Sequence, residues 1–248
     1  REAKRNTSWH RVNPDWENAC LDFLEAILPD TWDSPFLRDL IPFQREIAHL
    51  GMINSLSQTL IKAAAPGIPD TFQGCELWDL SLVDPDNRRQ VDYPARRRML
   101  ERIRTGMARD PETLFREMYE SPETGMLKMC VLHRALTTRR ESPALFRHGD
   151  YAPLPVEGPL KDHVLAFCRR KGDSVCIAVA TRMPAGIVRP PEWPLGREAW
   201  GETRISIPEG ESRLRDQLTL TEHSADNTLY LGDLFHYLPV CLLIAGTR

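Results

Sequence analysis

The sequence predicts an α+β chain whose first part is helical and whose second part is an antiparallel β domain. Apolar residues recur at helical spacing in the first half and alternate at strand spacing in the second half. The period changes between Phe146 and Tyr151, and no internal repeat accompanies the change. We therefore expect a mostly helical domain over 1–146 and a β domain over 147–248, each of ordinary domain size.

Capping signals and apolar stripes define four helices in the first part. Asn13 offers an N-cap, a proline occupies the first helical position, and the first turn is acidic. The apolar stripe that follows begins at Trp16 and ends before Pro29. We expect Trp16, Phe23 and Phe43 to be core residues. The same signals predict further helices over Pro42–Ala64, Pro94–Arg104 and Leu127–Arg140.

Runs of alternating and β-branched residues define the strands of the second part. Two of them, His163–Arg170 and Ser174–Ala180, flank a short Lys-Gly-Asp turn and predict a hairpin. Further strands are expected over Thr203–Ile207, Thr228–Leu231 and Tyr237–Ala245. The chain therefore ends in a run of buried-strand character.

The six cysteines predict free thiols in a reducing compartment. Cys168 and Cys176 could form a disulfide across the hairpin, but the sequence carries no secretion signal. We therefore expect reduced cysteines and a cytoplasmic location. The sequence has no Cys-x-x-Cys pair, no His–Cys spacing typical of metal ligands and no phosphate-binding glycine loop. Neither a metal nor another cofactor is expected.

Composition and charge argue against two classes of partner. Lys and Arg number 32 against 35 Asp and Glu, and the net charge of −3 provides no general attraction for nucleic acid or acidic membranes. The longest apolar run, Pro239–Ala245, is too short to span a bilayer. We interpret Arg96, Arg97 and Arg98 as the solvated face of a helix rather than as a nucleic-acid site.

A long irregular segment, Ala65–Tyr93, carries the densest set of polar and aromatic side chains. Carboxylates, amides and guanidinium groups bind paired sugar hydroxyls, and an indole ring packs on the apolar face of a pyranose. The alternative is a charged surface loop whose Asp and Arg side chains pair with one another. The residues alone leave both interpretations open. The candidates for sugar contacts are Gln73, Glu76, Trp78, Asp84, Asp86, Arg88 and Arg89.

Several motifs resemble the maltooligosyltrehalose synthase branch of the α-amylase family of glycoside hydrolases. Gly67–Glu76 resembles the motif at the eighth barrel strand of that family. Leu82–Arg89, followed by Val91–Tyr93, resembles a run that is specific to the synthase branch. Two positions depart from the pattern, with Cys75 in place of the usual threonine and Gln90 in place of the usual proline. The resemblance extends over nearly the whole chain.

The resemblance implies the last strand of a (β/α)₈ barrel in the first domain and an antiparallel β-sandwich in the second. It also implies trehalose biosynthesis by a retaining intramolecular transglycosylation, which converts the reducing-end α-1,4 bond of a maltooligosaccharide into an α,α-1,1 bond. The family's three catalytic carboxylates follow barrel strands that would precede Arg1, which is not a methionine. We therefore assign no catalytic residue, expect a longer parent chain and expect the isolated chain to be inactive.

Two other interpretations stay open. The β half could be a non-catalytic α-glucan-binding module, or the chain could be part of another α-amylase-type transglycosylase or hydrolase. Helices without a complete barrel around them would also expose apolar surface. A homodimer of the chain is therefore a further expectation.

Overall fold

In a computed structural model the chain forms helices followed by antiparallel sheets, which confirms the α+β class. The structure describes residues 1–29, 34–208, 210, 211, 213–224 and 226–245. These residues form two compact units, Arg1–His49 and Leu50–Arg248. The last three residues of the predicted β domain, 246–248, lie outside the described residues, and the domain boundary at 146 and 147 stays a prediction.

The first unit contains helix α1 (Pro14–Ile27) and the beginning of helix α2 (Pro35–Ala64). The predicted cap is present, because the Asn13 side chain accepts the backbone N–H of Trp16 at 3.2 Å. The prediction that three aromatic residues belong to the core is wrong, because Trp16 is 46% exposed, Phe23 62% and Phe43 60%. An apolar stripe defines a face of a helix, but it becomes core only where another surface covers it.

Helix α2 begins seven residues before the predicted start. Ser34 caps it by accepting the backbone N–H of Leu37 at 3.2 Å, and the helix then continues through Pro42. A proline inside a helix removes one backbone donor and crowds the preceding turn, which is why the sequence suggested a start there. The cap at Ser34 provides an earlier start signal.

Four helices of the second unit follow the irregular segment. They are α3 (Tyr93–Arg109), α4 (Pro111–Glu120), α5 (Met126–Glu141) and α6 (Pro143–His148). Helices α3 and α5 were predicted, with somewhat shorter bounds. Helix α4 was not predicted, although Asp110 caps it by accepting the backbone N–H of Thr113 at 3.1 Å.

Two antiparallel sheets make up the β part. One has six strands, in the order β1 (Asp150–Pro153), β3 (Val164–Lys171), β4 (Ser174–Thr181), β9 (Val240–Ala245), β6 (Arg213–Asp216) and β7 (Glu222–Ser224). The other has three, in the order β2 (Val156–Glu157), β5 (Arg204–Ser206) and β8 (Thr228–Tyr230). Short helices α7 (Gly196–Trp200) and α8 (Leu231–Leu234) connect strands. The predicted hairpin is confirmed, because Lys171 pairs with Ser174 across the turn.

Alternate residues of the large sheet face two different cores. Phe167, Ala178 and Leu242 belong to the core that the large sheet shares with helices α2 to α6. Ile177 and Leu243 belong to the core that it shares with the small sheet and the short helices. The period of two along each strand thus places the large sheet between a helical layer and the second sheet.

The same alternation shows whether the two cysteines of the hairpin can form a disulfide. Cys168 pairs with Ile177, and Cys176 pairs with Arg169. Cys168 faces the core shared with the small sheet, whereas Cys176 faces the core shared with the helices. Because their side chains point to opposite faces, these two cysteines cannot form a disulfide with each other.

The segment expected to be the last barrel strand is not a strand in this structure. Ile68–Phe72 forms no ladder, and every strand of the described residues lies between Asp150 and Ala245. The Ile68 side chain is 95% exposed. A barrel strand is held by backbone hydrogen bonds to a neighbour on each side. Neither neighbour lies beside this segment in the described part of the chain, so the motif alone does not form a strand.

Candidate functional site

The candidate site is the irregular segment between the end of α2 and the start of α3, here called the polar loop (residues 65–92). All seven predicted site residues lie in it, and all of them are described. Its regular structure is limited to one 3₁₀ turn over Asp86–Arg88. The loop depends on side-chain contacts for its shape, since it has few backbone hydrogen bonds of its own.

Arg96, on the second turn of α3, anchors the first part of the polar loop. Its Nε donates to Glu76 Oε2 at 3.0 Å, and its Nη2 donates to the carbonyl oxygen of Gly74 at 2.9 Å. Its third donor, Nη1, lies 3.2 Å from the carbonyl oxygen of Asp92. Glu76 is thereby paired, and it orients the loop through Arg96.

The interpretation of Arg96 as part of a solvated basic face is therefore wrong. Its side chain is only 18% exposed, and the acceptors of its three hydrogen bonds lie in the polar loop. The N-cap residue Asp92 is a sequence signal that could have indicated this position of Arg96. Asp92 accepts the backbone N–H of Ala95 at 2.8 Å and so fixes where α3 begins. A side chain four residues after an N-cap can reach back to the segment that precedes the helix.

Trp78 anchors the next part of the loop against the helical layer. Its Nε1–H donates to the carbonyl oxygen of Pro122 at 2.7 Å, and its ring packs against the core. Lys128 of α5 donates to the carbonyl oxygen of Leu77 at 2.9 Å and lies 5.9 Å from the centroid of the Trp78 ring. These contacts make Trp78 a support beneath the loop, which leaves less of the indole free to stack on a sugar.

A close backbone approach completes this anchor. Gly125 precedes α5 with a φ of 77°, a left-handed conformation that favours glycine. A Cβ atom at this position would lie 3.0 Å from the backbone nitrogen of Trp78. The glycine therefore allows the polar loop to lie directly against the start of α5.

Asp79 orders the middle of the polar loop. Its carboxylate accepts the Ser81 hydroxyl at 2.6 Å, the Ser81 backbone N–H at 3.0 Å and the Cys75 thiol at 3.1 Å. The bonds from Ser81, together with the one from Cys75, lower the pKa of Asp79 to about 2. Asp79 was not among the predicted site residues, although Asp-x-Ser spacing is typical of such turns.

Four of the seven candidates form two ion pairs within the loop. Arg88 donates to both carboxylate oxygens of Asp84, with an Nη2–Oδ2 distance of 2.9 Å. Arg89 pairs with Asp86 through Nη2 and through Nε, which lies 3.0 Å from Oδ1. Asp86 also accepts the backbone N–H of Leu82 at 2.7 Å, and the bonds from Arg89 and Leu82 lower its pKa. The Asp–Arg pairs that the charged-surface-loop interpretation predicts are therefore present.

These pairs nevertheless stay open to a ligand. The exposed fraction is 58% for the Asp84 side chain, 68% for Arg88 and 73% for Arg89. Exposed ion pairs contribute about 0–1 kcal/mol, so a sugar hydroxyl can replace one partner at little cost. Gln73 is exposed as well. The structure thus places Asp84, Arg88, Arg89 and Gln73 at the loop surface, and Glu76 and Trp78 among its anchors.

Within the described ranges, no group of three or more His, Cys, Asp or Glu side chains could hold a metal ion. No helix in the part of the chain that the structure describes has the length and apolar character to cross a bilayer.

Comparisons with known proteins link the chain to one kind of enzyme. No protein-family profile matches it. It is 35% identical over 244 residues to proteins of two Mycobacterium tuberculosis strains that carry the name maltooligosyl trehalose synthase. The match covers 98% of this chain, which spans only 27% of the length of these curated relatives.

Solved structures give the same result. The maltooligosyltrehalose synthase of Arthrobacter ramosus superposes with a TM-score of 0.76 at 35% identity, covering 99% of this chain and 29% of that one. Another structure, described as maltooligosyl trehalose synthase, superposes with a TM-score of 0.72 at 25% identity and covers 99% of this chain and 28% of that one. Over nearly its whole length, the chain is thus a homologue of the C-terminal part of maltooligosyltrehalose synthases.

Proposed function

We propose that this chain is the C-terminal part of an enzyme that isomerises the reducing-end α-1,4 bond of a maltooligosaccharide to an α,α-1,1 bond. The observation that carries the proposal is the 35% identity over 98% of the chain to maltooligosyl trehalose synthases. The chain spans 27% of those relatives, so the activity and the substrate belong to the proposal and not to the finding. A cytoplasmic location belongs to it as well.

The chemistry requires groups that we do not assign to this chain. Retention of configuration takes two carboxyl groups about 5 Å apart, one as nucleophile and one as acid and base. The glycosyl-enzyme is then attacked by a hydroxyl of the released glucose, which the site must hold while it excludes water. We propose that the isolated chain lacks the catalytic carboxylates and that its polar loop supplies part of this enclosure.

Within that enclosure the exposed side chains of the polar loop would position the sugar. The Asp84 carboxylate would accept hydrogen bonds from sugar hydroxyl groups, whereas Arg88 and Arg89 would donate to hydroxyl oxygens. Asp86 and Gln73 would add to this set, with Glu76 and Trp78 holding the loop in place through Arg96 and Pro122. We also propose that Ile68–Phe72 becomes a barrel strand where neighbouring strands lie beside it, which the exposure of Ile68 supports.

A chimaera tests the proposal. In it, this chain replaces the matching 29% of the Arthrobacter ramosus synthase, and maltopentaose is the substrate. We expect the chimaera to convert reducing ends into non-reducing product and the isolated chain to form none. We expect R88A/R89A in the chimaera to lower kcat/KM at least about tenfold, because a hydrogen bond from a charged donor contributes about 1.5–3 kcal/mol.

The control substitution in the chimaera is Arg213→Ala, which removes an exposed arginine of strand β6 outside the loop. We expect it to leave kcat/KM within about twofold, because surface substitutions change stability by less than about 0.5 kcal/mol. Product from the isolated chain would contradict the proposed lack of catalytic carboxylates. Hydrolysis without isomerisation by the chimaera would favour another α-amylase-type enzyme, and maltoheptaose binding that survives the loop variant would favour an α-glucan-binding module.

A homodimer of the chain stays a prediction. The exposed apolar side chains of α1 and the start of α2 support it, among them Phe23 at 62%, Phe36 at 43% and Phe43 at 60% exposure. Sedimentation of the isolated chain at several concentrations is the measurement. We expect a concentration-dependent dimer, whereas a monomer at every concentration would contradict the prediction.

A further inference from the structure

A cavity of about 620 Å³ lies beside the first residues of the polar loop, at the end of α5 and along α6. Four of the side chains that line it are basic: Arg139, Arg140, Arg147 and His148. Among the residues that the structure describes, no aspartate or glutamate lines it. Leu136 and Phe146 add an apolar wall. This one-sided charge contrasts with the polar loop, where Arg88, Arg89 and Arg96 each pair with a carboxylate.

Arg169 adds a further positive charge close behind the cavity. It lies on β3 and is only 2% exposed. Its guanidinium group donates to four carbonyl oxygens, those of Asp150 at 3.0 Å, Ala64 at 3.2 Å, Phe146 at 3.2 Å and Gly149 at 2.8 Å. In the described part of the chain no carboxylate forms an ion pair with it. A buried charge is ordinarily paired, so this one leaves a positive potential in its surroundings.

Arg139 connects Arg169 to the cavity. It donates to the carbonyl oxygens of Ala63 at 2.9 Å, Ala65 at 3.5 Å and Gly67, and its guanidinium carbon lies 5.4 Å from the centroid of the Phe146 ring. Burial, and then the positive charges of Arg169 and Arg147, lower the pKa of Arg139. A guanidinium has five N–H donors, and three bonds to carbonyls leave capacity for a further acceptor.

The end of α2 does not neutralise this charge. Arg139 and Arg169 cap its last carbonyls, and a helix C-terminus carries about half an elementary negative charge. Three guanidinium groups line the cavity and a fourth lies behind it. The half charge at the end of α2 is therefore much smaller than the summed charge of these four guanidinium groups.

We propose that this cavity binds a small organic phosphate, a phosphomonoester or a diphosphate. Arginine forks match the oxygens of a phosphate group, and such a ligand supplies two or more negative charges. The volume lies within the range of small-molecule sites, about 300–1,000 Å³. The phosphate lies between Arg139, Arg140 and Arg147, and the organic part packs against Leu136 and Phe146. The inference does not depend on the proposed function, because none of these residues belongs to the polar-loop candidates.

The test uses the full chain with glucose 6-phosphate and inorganic pyrophosphate as probes, titrated by calorimetry at constant ionic strength. The test variant is R140A/R147A, whose two side chains are exposed at the rim and form no hydrogen bond or ion pair with other residues that the structure describes. Arg139 and Arg169 stay intact because they hold the end of α2. The control is R182A/R213A, which removes the same charge from two exposed positions outside the cavity lining.

We expect wild type and R182A/R213A to bind at least one of the two probes with equal affinity and R140A/R147A to bind it at least tenfold more weakly. Tighter binding of glucose 6-phosphate than of inorganic pyrophosphate, which carries more charge but no organic part, would support contact with the apolar wall. Equal weakening by both double variants would show a general charge effect and overturn the proposal, as would the absence of binding by wild type. Because synthase activity is not measured, a failure here and a failure of the proposed function are distinguishable.

Discussion

Replacing Arg169 by methionine should lower the free energy of unfolding by about 3–5 kcal/mol. The substitution removes the donor of four carbonyl oxygens, two of them in buried and two in partly buried contacts, and each unsatisfied buried group costs about 1–3 kcal/mol. Relief from burying an unpaired charge offsets part of that loss, since the desolvation penalty of a buried ion is several kcal/mol. The apolar stem of methionine fills a similar volume, so the effect reports the lost donors rather than a cavity. Urea denaturation measures it.

The neighbouring residue provides the control. Arg170 is 39% exposed and pairs with Glu211 at 3.2 Å, so Arg170→Met should change the free energy of unfolding by no more than about 1 kcal/mol. Arg169→Lys should remain well below wild type, because an ammonium has three donors and no planar fork to reach four carbonyls. Equal effects of the two methionine variants would show that the carbonyl contacts of Arg169 contribute no more than a surface ion pair does.

Local signals in the sequence predicted those parts of the fold that local physics decides. Asn13 caps α1 as expected, and the hairpin of β3 and β4 has the expected turn. Their bounds depend on capping bonds and on alternation, both of which a sequence displays. The burial of Trp16 was predicted wrongly because burial depends on whichever surface covers a helix face, and a helical period carries no information about that surface.

The candidate site divides in the same way. The residue types of the polar loop and the pairing of Asp86 with Arg89 could be predicted from short spacings. The Asp92 cap indicates that Arg96 can reach back toward the loop, but the partners of the anchors could not be predicted, because Arg96 lies 20 residues from Glu76, and Trp78 lies 44 residues from its acceptor Pro122. Partners so far apart in sequence are chosen by packing. The cavity of Arg139, Arg140 and Arg147 escaped the sequence for this reason too, since its charge is one-sided only once α5, α6 and β3 are packed together.

Substitution of Asp216 should have the second large effect on the free energy of unfolding, and its direction should depend on the residue introduced. It is fully buried at the end of β6, where it accepts the Thr219 hydroxyl at 2.6 Å and the backbone N–H groups of Leu218 at 3.0 Å and Leu242 at 3.1 Å. Asp216→Ala leaves these three donors unsatisfied and opens a small cavity. We expect it to lower the free energy of unfolding by about 2–4 kcal/mol in urea denaturation at pH 7.

The free energy of unfolding of Asp216→Asn should instead equal or exceed that of wild type at pH 7, because asparagine keeps an acceptor for the backbone groups without burying a charge.

This comparison should depend on pH. Burial raises the pKa of Asp216, although the bonds from Thr219, Leu218 and Leu242 act in the opposite direction and lower it. The folded state therefore binds the proton more tightly than the unfolded state. Protonation of Asp216 therefore stabilises the wild-type fold. This contribution is fully present below the unfolded-state pKa of about 3.9 and is lost as pH rises through the folded-state pKa. The free energy of unfolding of Asp216→Asn minus that of wild type should thus increase with pH from about 4 upward. A constant difference would show that the Asp216 carboxyl has the same pKa in both states, and a decreasing one that its hydrogen bonds outweigh its burial.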